Sequence, residues 1–268
     1  DGRLYVSDTG NNRVQVFEKS GGFVFSIDQS KGISRPQGLA VSDPAAKYTG
    51  YRTGSVFVID GNNSRIQKFD LRGNLIAAIR AENVLQKEVL LTTLDLDYYG
   101  NVYVVDRKNS QVHKFSPDLK HIASQGKFGT GEYEFESPTG IAIYRHYGQI
   151  FVSDRESAQY FWIGSDVRDF KAKKAGEYEL QFDFYLTEKG IVTIEIEIPS
   201  DDKSGKNVTV VEKLSMETGK NSICWPIPEE YRGTVIKQGE NYTVRMRLMA
   251  TYSSYPHIIK QAKSLLLM

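Results

Sequence analysis

Cysteine is almost absent from this chain. The single Cys224 can form no intrachain disulfide and supplies no cysteine-rich zinc site. No apolar run approaches the roughly 18 residues that cross a bilayer as a helix. A surplus of charge is missing too. The 34 basic and 33 acidic side chains leave a net charge of +1, without the cationic excess that a nucleic-acid binder needs to displace counterions. The G-x-S-x-G, Walker, HExxH and CxxC patterns do not occur, so the common nucleophile and phosphate-cradling machines have no foothold. The four histidines, His113, His121, His146 and His257, are scattered, and no metal or cofactor is expected. Turn and strand formers are plentiful instead. With 23 Gly, 16 Tyr and 13 Phe among 268 residues, the composition points to β-structure rich in tight turns.

The first 165 residues repeat themselves. Four segments align without gaps: YVSDTGNNRVQVF (5–17), FVIDGNNSRIQKF (57–69), YVVDRKNSQVHKF (103–115) and FVSDRESAQYFWI (151–163). Each has an aromatic residue, Val, one variable residue and Asp. Six positions after the Asp comes an apolar or aromatic residue (Val14, Ile66, Val112, Tyr160), and nine positions after it Phe17, Phe69, Phe115 or Ile163. The Asp residues recur every 46 to 52 positions, a period characteristic of propeller or solenoid arrays. Short strands precede units two to four, at GLAV (38–41), TLDL (93–96) and GIAI (140–143). A fourth strand, such as 74–79, follows the turn at Gly73. Four short antiparallel strands per unit make a propeller blade. Gly126, Gly129 and Gly131 mark the connection into the last one.

These units resemble NHL repeats, whose pattern runs Pro-x-Gly-apolar-Ala-apolar, aromatic-Val-x-Asp, then Asn-x-Arg-Val-x-x-Phe. The last unit keeps SPTGIAI and FVSD and then departs, with Ser157 to Gln159 in place of the Asn and Arg. The resemblance implies a β-propeller over 1–165 and no particular function. Units two to four read as complete. Unit one lacks its first strand, which leads to the expectation of one to three further blades upstream of Asp1. The alternative is a four-bladed ring completed by a partner's strand.

After Ile163 the rhythm changes. A stretch over 166–174 containing Lys171, Lys173 and Lys174 reads as a linker. It is followed by strict alternation at Tyr178, Leu180, Phe182, Phe184 and Leu186, at Val192, Ile194, Ile196 and Ile198, and at Tyr242, Val244, Met246 and Leu248. Half-buried antiparallel strands of this kind indicate a β-sandwich over 175–252, with the turn segments 201–206 and 217–221 between strands and a C-terminal extension over 253–268. The segment is similar to the immunoglobulin-like domain of the flagellar hook-capping (FlgD) family through VTIEIEI, SICWPI and RGTVIKQGENYTVRMRL. It departs from it at Pro226 and Pro228. The resemblance implies an extracytoplasmic bacterial or archaeal protein: periplasmic, cell-surface or secreted. Cys224, on a predicted strand beside Trp225, is expected in the core.

Among polar residues, the column Asp8, Asp60, Asp106 and Asp154 is the most regular. A residue present in every blade serves something every blade needs, and an Asp ending a strand can accept backbone N–H groups of the following turn. Function is better sought where one unit breaks the pattern. Asp95 stands where units two and four have Ala40 and Ala142, and on an axial strand its carboxylate would bind a cation or ligand or pair with a basic neighbour. Asp97 reads as a turn acid. His113 replaces Gln15 and Gln67, and with Asp95 forms the pair of candidate ligand-binding residues. A three-histidine zinc site would require His113, His121 and His146 to converge, which their spacing does not support. No catalytic residue is assigned. The first functional expectation is therefore a non-enzymatic extracytoplasmic protein-binding or scaffold protein. Its partner would be another extracytoplasmic protein, with no nucleic acid and no membrane span. The alternatives are a metal-assisted lyase or hydrolase at the propeller axis and a glycan binder using Tyr98, Tyr99 and Tyr133.

Overall fold

Short apolar runs punctuated by Gly, Asn and Asp fold here into antiparallel meanders. The computed structural model describes residues 2–61, 64–198, 206–232, 241–251 and 258–266. The chain is all-β and divides into two compact units, Asp1–Ile163 and Gly164–Met268.

The first unit is β-propeller-like and holds four meanders. The first is β1 (Leu4–Asp8), β2 (Arg13–Phe17) and β3 (Phe23–Ile27). The second is β4 (Pro36–Ser42), β5 (Ser55–Asp60), β6 (Arg65–Asp70) and β7 (Leu75–Arg80). A one-turn helix α1 (Ala81–Leu85) leads to the third, formed by β8 (Leu91–Leu96), β9 (Val102–Asp106), β10 (Gln111–Phe115) and β11 (His121–Gln125). The glycine-rich connection carries a short parallel pair, β12 (Lys127–Phe128) with β13 (Glu134–Phe135). The fourth meander is β14 (Gly140–Tyr144), β15 (Gln149–Ser153) and β16 (Ala158–Trp162). The last sheet thus has three strands among the described residues, where a complete four-stranded unit was expected. The next strand, β17 (Val167–Gly176), pairs within the second unit.

The sheets stack through both faces. Val14 and Ile27 meet Val56, Val58 and Phe69 between the first two sheets. On the other face, Phe57, Ile59 and Ile66 meet Leu94, Leu96, Val102, Val104 and Phe115. Each such side chain, fully buried, contributes about 1.5–3 kcal/mol. The leading strands lie side by side, β4 against β8 and β8 against β14. Gly38 permits that approach, since a Cβ there would lie 2.6 Å from Thr93 Cα.

In the second unit β17 continues into β18 (Glu179–Leu186), β19 (Gly190–Ile198), β20 (Lys206–Met216), β21 (Gly219–Pro226), β22 (Asn241–Ala250) and β23 (Ile258–Leu266). They form two antiparallel sheets, ordered β17-β18-β21 and β20-β19-β22-β23. One apolar cluster joins them: Leu180, Phe182, Phe184 and Leu186 from one sheet, and Val192, Ile194, Ile196, Tyr242, Val244, Met246 and Leu248 from the other.

Several expectations are corrected here. Residues 167–174 belong to strand β17 and form no linker, because Val167 and Phe170 reach the core while Lys171 and Lys173 stay exposed on the outer face. The C-terminal extension contains β23, which pairs along β22. Tyr178 lies exposed ahead of β18 and stacks under Arg232 at 4.5 Å. Cys224 is exposed, since alternation along β21 turns Ile223 and Trp225 inward and the thiol outward. Residues 201–205 of the first turn segment lie outside the described residues.

Candidate functional site

The Asp column does more than fix its own turn. Asp60 accepts the backbone N–H of Ser34 at 3.2 Å, and Asp106 that of Leu90 at 3.0 Å. Asp154 accepts those of Glu136 at 2.8 Å and Ser137 at 2.6 Å. In each case the donor lies on the segment entering the sheet's leading strand, so the carboxylate ties that segment to the hairpin of the next two strands. Asp8 receives instead Asn11 Nδ2, Arg13 Nε and Gln15 Nε2. Hydrogen bonds hold Asp154 below the usual carboxylate range against the opposing effect of burial.

Asp95 is committed to the neighbouring sheet. Its carboxylate accepts the N–H of Ile143 at 2.7 Å and faces the guanidinium of Arg145 at 3.5 Å, while Arg145 Nε donates to Leu96 O at 2.9 Å. It clamps β8 to β14. Asp97 caps its turn, accepting from the N–H groups of Tyr99 and Asn101.

His113 lies elsewhere in the same sheet, buried on β10, so the structure does not bring the two candidate ligand-binding residues together. Its Nε2 is 3.2 Å from Asp106 Oδ2 and its Nδ1 is 2.7 Å from Ser124 Oγ. His121 Nε2 approaches the same hydroxyl at 2.8 Å. Asp106 is wholly buried, a location that by itself raises its pKa. Hydrogen bonds from His113, Asn109 and the Leu90 N–H outweigh that effect and lower it to about 2. Four polar groups on β9, β10 and β11 therefore form a continuous chain. His146 is not among them, since it is sandwiched between Tyr48 at 4.2 Å and Tyr147 at 4.1 Å. No group of three or more His, Cys, Asp or Glu suited to a metal ion occurs among the described residues.

A second feature is the uncovered face of the last sheet. The aromatic position three residues before each repeat Asp is Tyr5, Phe57, Tyr103 and Phe151. Phe57 is 0% and Tyr103 6% exposed, whereas Phe151 is 47% exposed. Across the strand pair, Phe57 faces Lys68, Tyr103 faces Lys114, and Phe151 faces Tyr160. The hairpin is also shorter: Asp60 pairs five residues on with Arg65, while Asp154 bonds three residues on to Ser157. Tyr160, which like Val14, Ile66 and Val112 stands six positions after its Asp, is therefore exposed, because no further sheet of the first unit covers that face among the described residues. The face consists of Gly140, Ala142, Tyr144, Gln149, Phe151, Ser153, Ala158, Tyr160 and Trp162, and none of these side chains is charged. Phe151 and Tyr160 lie 4.9 Å apart, Tyr160 and Trp162 5.9 Å, and Gln149 Nε2 donates to the Tyr160 hydroxyl. Of the expected aromatics, Tyr133 is exposed while packing against Phe161 and Tyr98 packs over Gly50, so the larger exposed cluster lies elsewhere.

Comparison with known proteins matches the NHL repeat family model to residues 1–17. No curated protein matches the chain. Among solved structures, it is similar to virginiamycin B lyase from Staphylococcus aureus, with 13% identity and a TM-score of 0.42, over 85% of this chain and 78% of that one. It is also similar to dihydro-heme d1 dehydrogenase NirN in complex with DHE, with 10% identity and a TM-score of 0.41. That match covers 99% of this chain but 53% of the other, so the chain spans about half of that protein's length. No helix among the described residues is long and apolar enough to cross a membrane.

Proposed function

We propose that this chain belongs to an extracytoplasmic recognition or scaffold protein that docks another protein on the β14–β16 face. The observation that carries this reading is the uncharged aromatic surface of Tyr144, Phe151, Tyr160 and Trp162, each between 43% and 47% exposed. Protein-interface cores are enriched in Tyr, Trp and Phe and depleted in charge. The occupant's chemistry follows from the equivalent face two repeats earlier. There Phe57 is covered by the aliphatic side chains Leu94, Leu96, Val102 and Val104 of the following sheet. A partner presenting an aliphatic β-sheet face fits the same way. A glycan fits less well, since the face offers few hydrogen-bonding side chains beyond the Tyr hydroxyls, Gln149 and Ser153.

In the same proposal the first unit is part of an NHL-type propeller, and the second is an immunoglobulin-like sandwich of the hook-capping type acting as spacer or docking module. Two antiparallel sheets around one core support the latter reading. The extracytoplasmic setting rests on the resemblances, and a topology-reporting fusion in a bacterial host tests it. For the docking face, a photo-crosslinking residue at position 160 should trap one discrete protein adduct, absent when the probe sits at exposed position 168. The adduct should be lost in Phe151→Ala/Trp162→Ala. A face that gives no discrete adduct, or binds only oligosaccharides on a glycan array, refutes the proposal.

A further inference from the structure

We propose that Ser124 is a nucleophile toward activated carboxylic esters, with His113 as its base and Asp106 as the residue that positions the base. The repeat itself makes the case. His113 stands where the first two sheets have Gln15 and Gln67. His121 stands where they have Phe23 and Leu75, each pairing with the Phe that ends the preceding strand. Ser124 occupies the place of Ser26 and Ala78, cross-strand from His113. Two departures from the pattern in a single sheet thus converge on one hydroxyl, at 2.7 and 2.8 Å.

The proton order follows from donor and acceptor capacity. An ionised Asp106 only accepts, so the neutral imidazole of His113 carries its proton on Nε2 and donates it to Oδ2. Nδ1 is then the acceptor, and the Ser124 hydroxyl donates to it. With its one proton so used, Oγ accepts the Nε2–H of His121. A carboxylate, an imidazole and a hydroxyl in this order form an acyl-transfer relay, with the two ring nitrogens in exchanged roles relative to the familiar Asp–His–Ser arrangement. His113 and Asp106 are buried, while Ser124 and His121 are half-buried at the sheet's outer strand, so the hydroxyl is the group nearest to solvent.

On an aryl ester, Ser124 Oγ bonds the carbonyl carbon as its proton passes to His113 Nδ1. The adduct collapses by breaking the carbon–aryloxy bond, and the aryloxide takes that proton. Water, deprotonated by His113, then cleaves the acyl-serine to release the carboxylic acid and restore the hydroxyl.

The test uses the full chain, a fluorophosphonate probe and an aryl acetate. The probe should add to Ser124, located by peptide mass spectrometry, and Ser124→Ala should abolish the adduct. His113→Gln should slow both labelling and aryl acetate turnover by about 100-fold or more. Both substitutions place a residue that a neighbouring repeat already carries, Ala78 or Gln67, and unchanged thermal melting verifies folding. Turnover should depend on pH in the wild-type chain and lose that dependence in His113→Gln. A folded chain that gives no Ser124 adduct, or a His113→Gln variant that labels at the wild-type rate, overturns the proposal.

Discussion

Replacing Asp106 by Asn tests the physical role of the repeat carboxylates. The substitution keeps the shape and leaves one oxygen for the N–H groups of Leu90 and Lys108, at 3.0 and 3.1 Å. It places an NH2 group against Asn109 Nδ2 and the Nε2–H of His113, both of which donate to Oδ2. Donor then meets donor at the fully buried Asp106–His113 pair. Removing one partner of such a cluster costs about 3 kcal/mol near neutral pH. The pH dependence is a separate signature. The pKa falls from 3.8 to about 2 on folding, which at about 1.36 kcal/mol per unit is worth about 2 kcal/mol. Because the folded value is the lower one, this stability is present above about pH 4 and is lost as pH falls through about 2. Urea unfolding followed by circular dichroism is the assay, with exchange protection of β9 and β10 amides identifying the transition of the first unit. The gap between wild type and Asp106→Asn should narrow by about 2 kcal/mol from pH 5 to pH 2. Parallel curves over that range, or a neutral-pH loss below about 1 kcal/mol, would refute the reasoning.

Repeat-equivalent positions should differ sharply in cost. Phe57→Ala empties a wholly buried site and should destabilise the first unit by about 3–5 kcal/mol, whereas Phe151→Ala on the open face should stay within about 0.5 kcal/mol in denaturant titrations. Gly38→Ala places a methyl against the Thr93 backbone and should cost about 1–3 kcal/mol, because two strands must separate to admit it. A thermal melt at the wild-type temperature would show that β4 and β8 are not held that close.

Much of the first unit is legible in its amino-acid sequence. The period, the strand pairs and the Asp column depend on local alternation and turn chemistry, and those signals sit within a dozen residues of one another. The destination of each carboxylate is not local: the Leu90 N–H lies sixteen positions from Asp106, and Ile143 forty-eight from Asp95. Ser124 and His121 carry no signal alone, since a lone Ser or His on a short strand is commonplace. Aligning them with Ser26 and Ala78, and with Phe23 and Leu75, marks the third unit as unusual. Residues 166–174 read as a linker because three lysines dominate the stretch, while Val167 and Phe170 decide where the chain lies.

Side-chain period and turn propensity are properties of neighbouring residues, so the all-β character, most strand positions and the faces that alternate inward are written in the chain itself. Packing between sheets settles which of those faces are covered. Phe57 and Phe151 occupy the same place in the repeat, yet one is sealed beneath the next sheet and the other is open. The meeting of two histidines at one serine hydroxyl, with a buried carboxylate on the far side of one of them, is equally a product of the folded state. Cross-strand register, and no local preference, brings positions 106, 113, 121 and 124 within hydrogen-bonding distance.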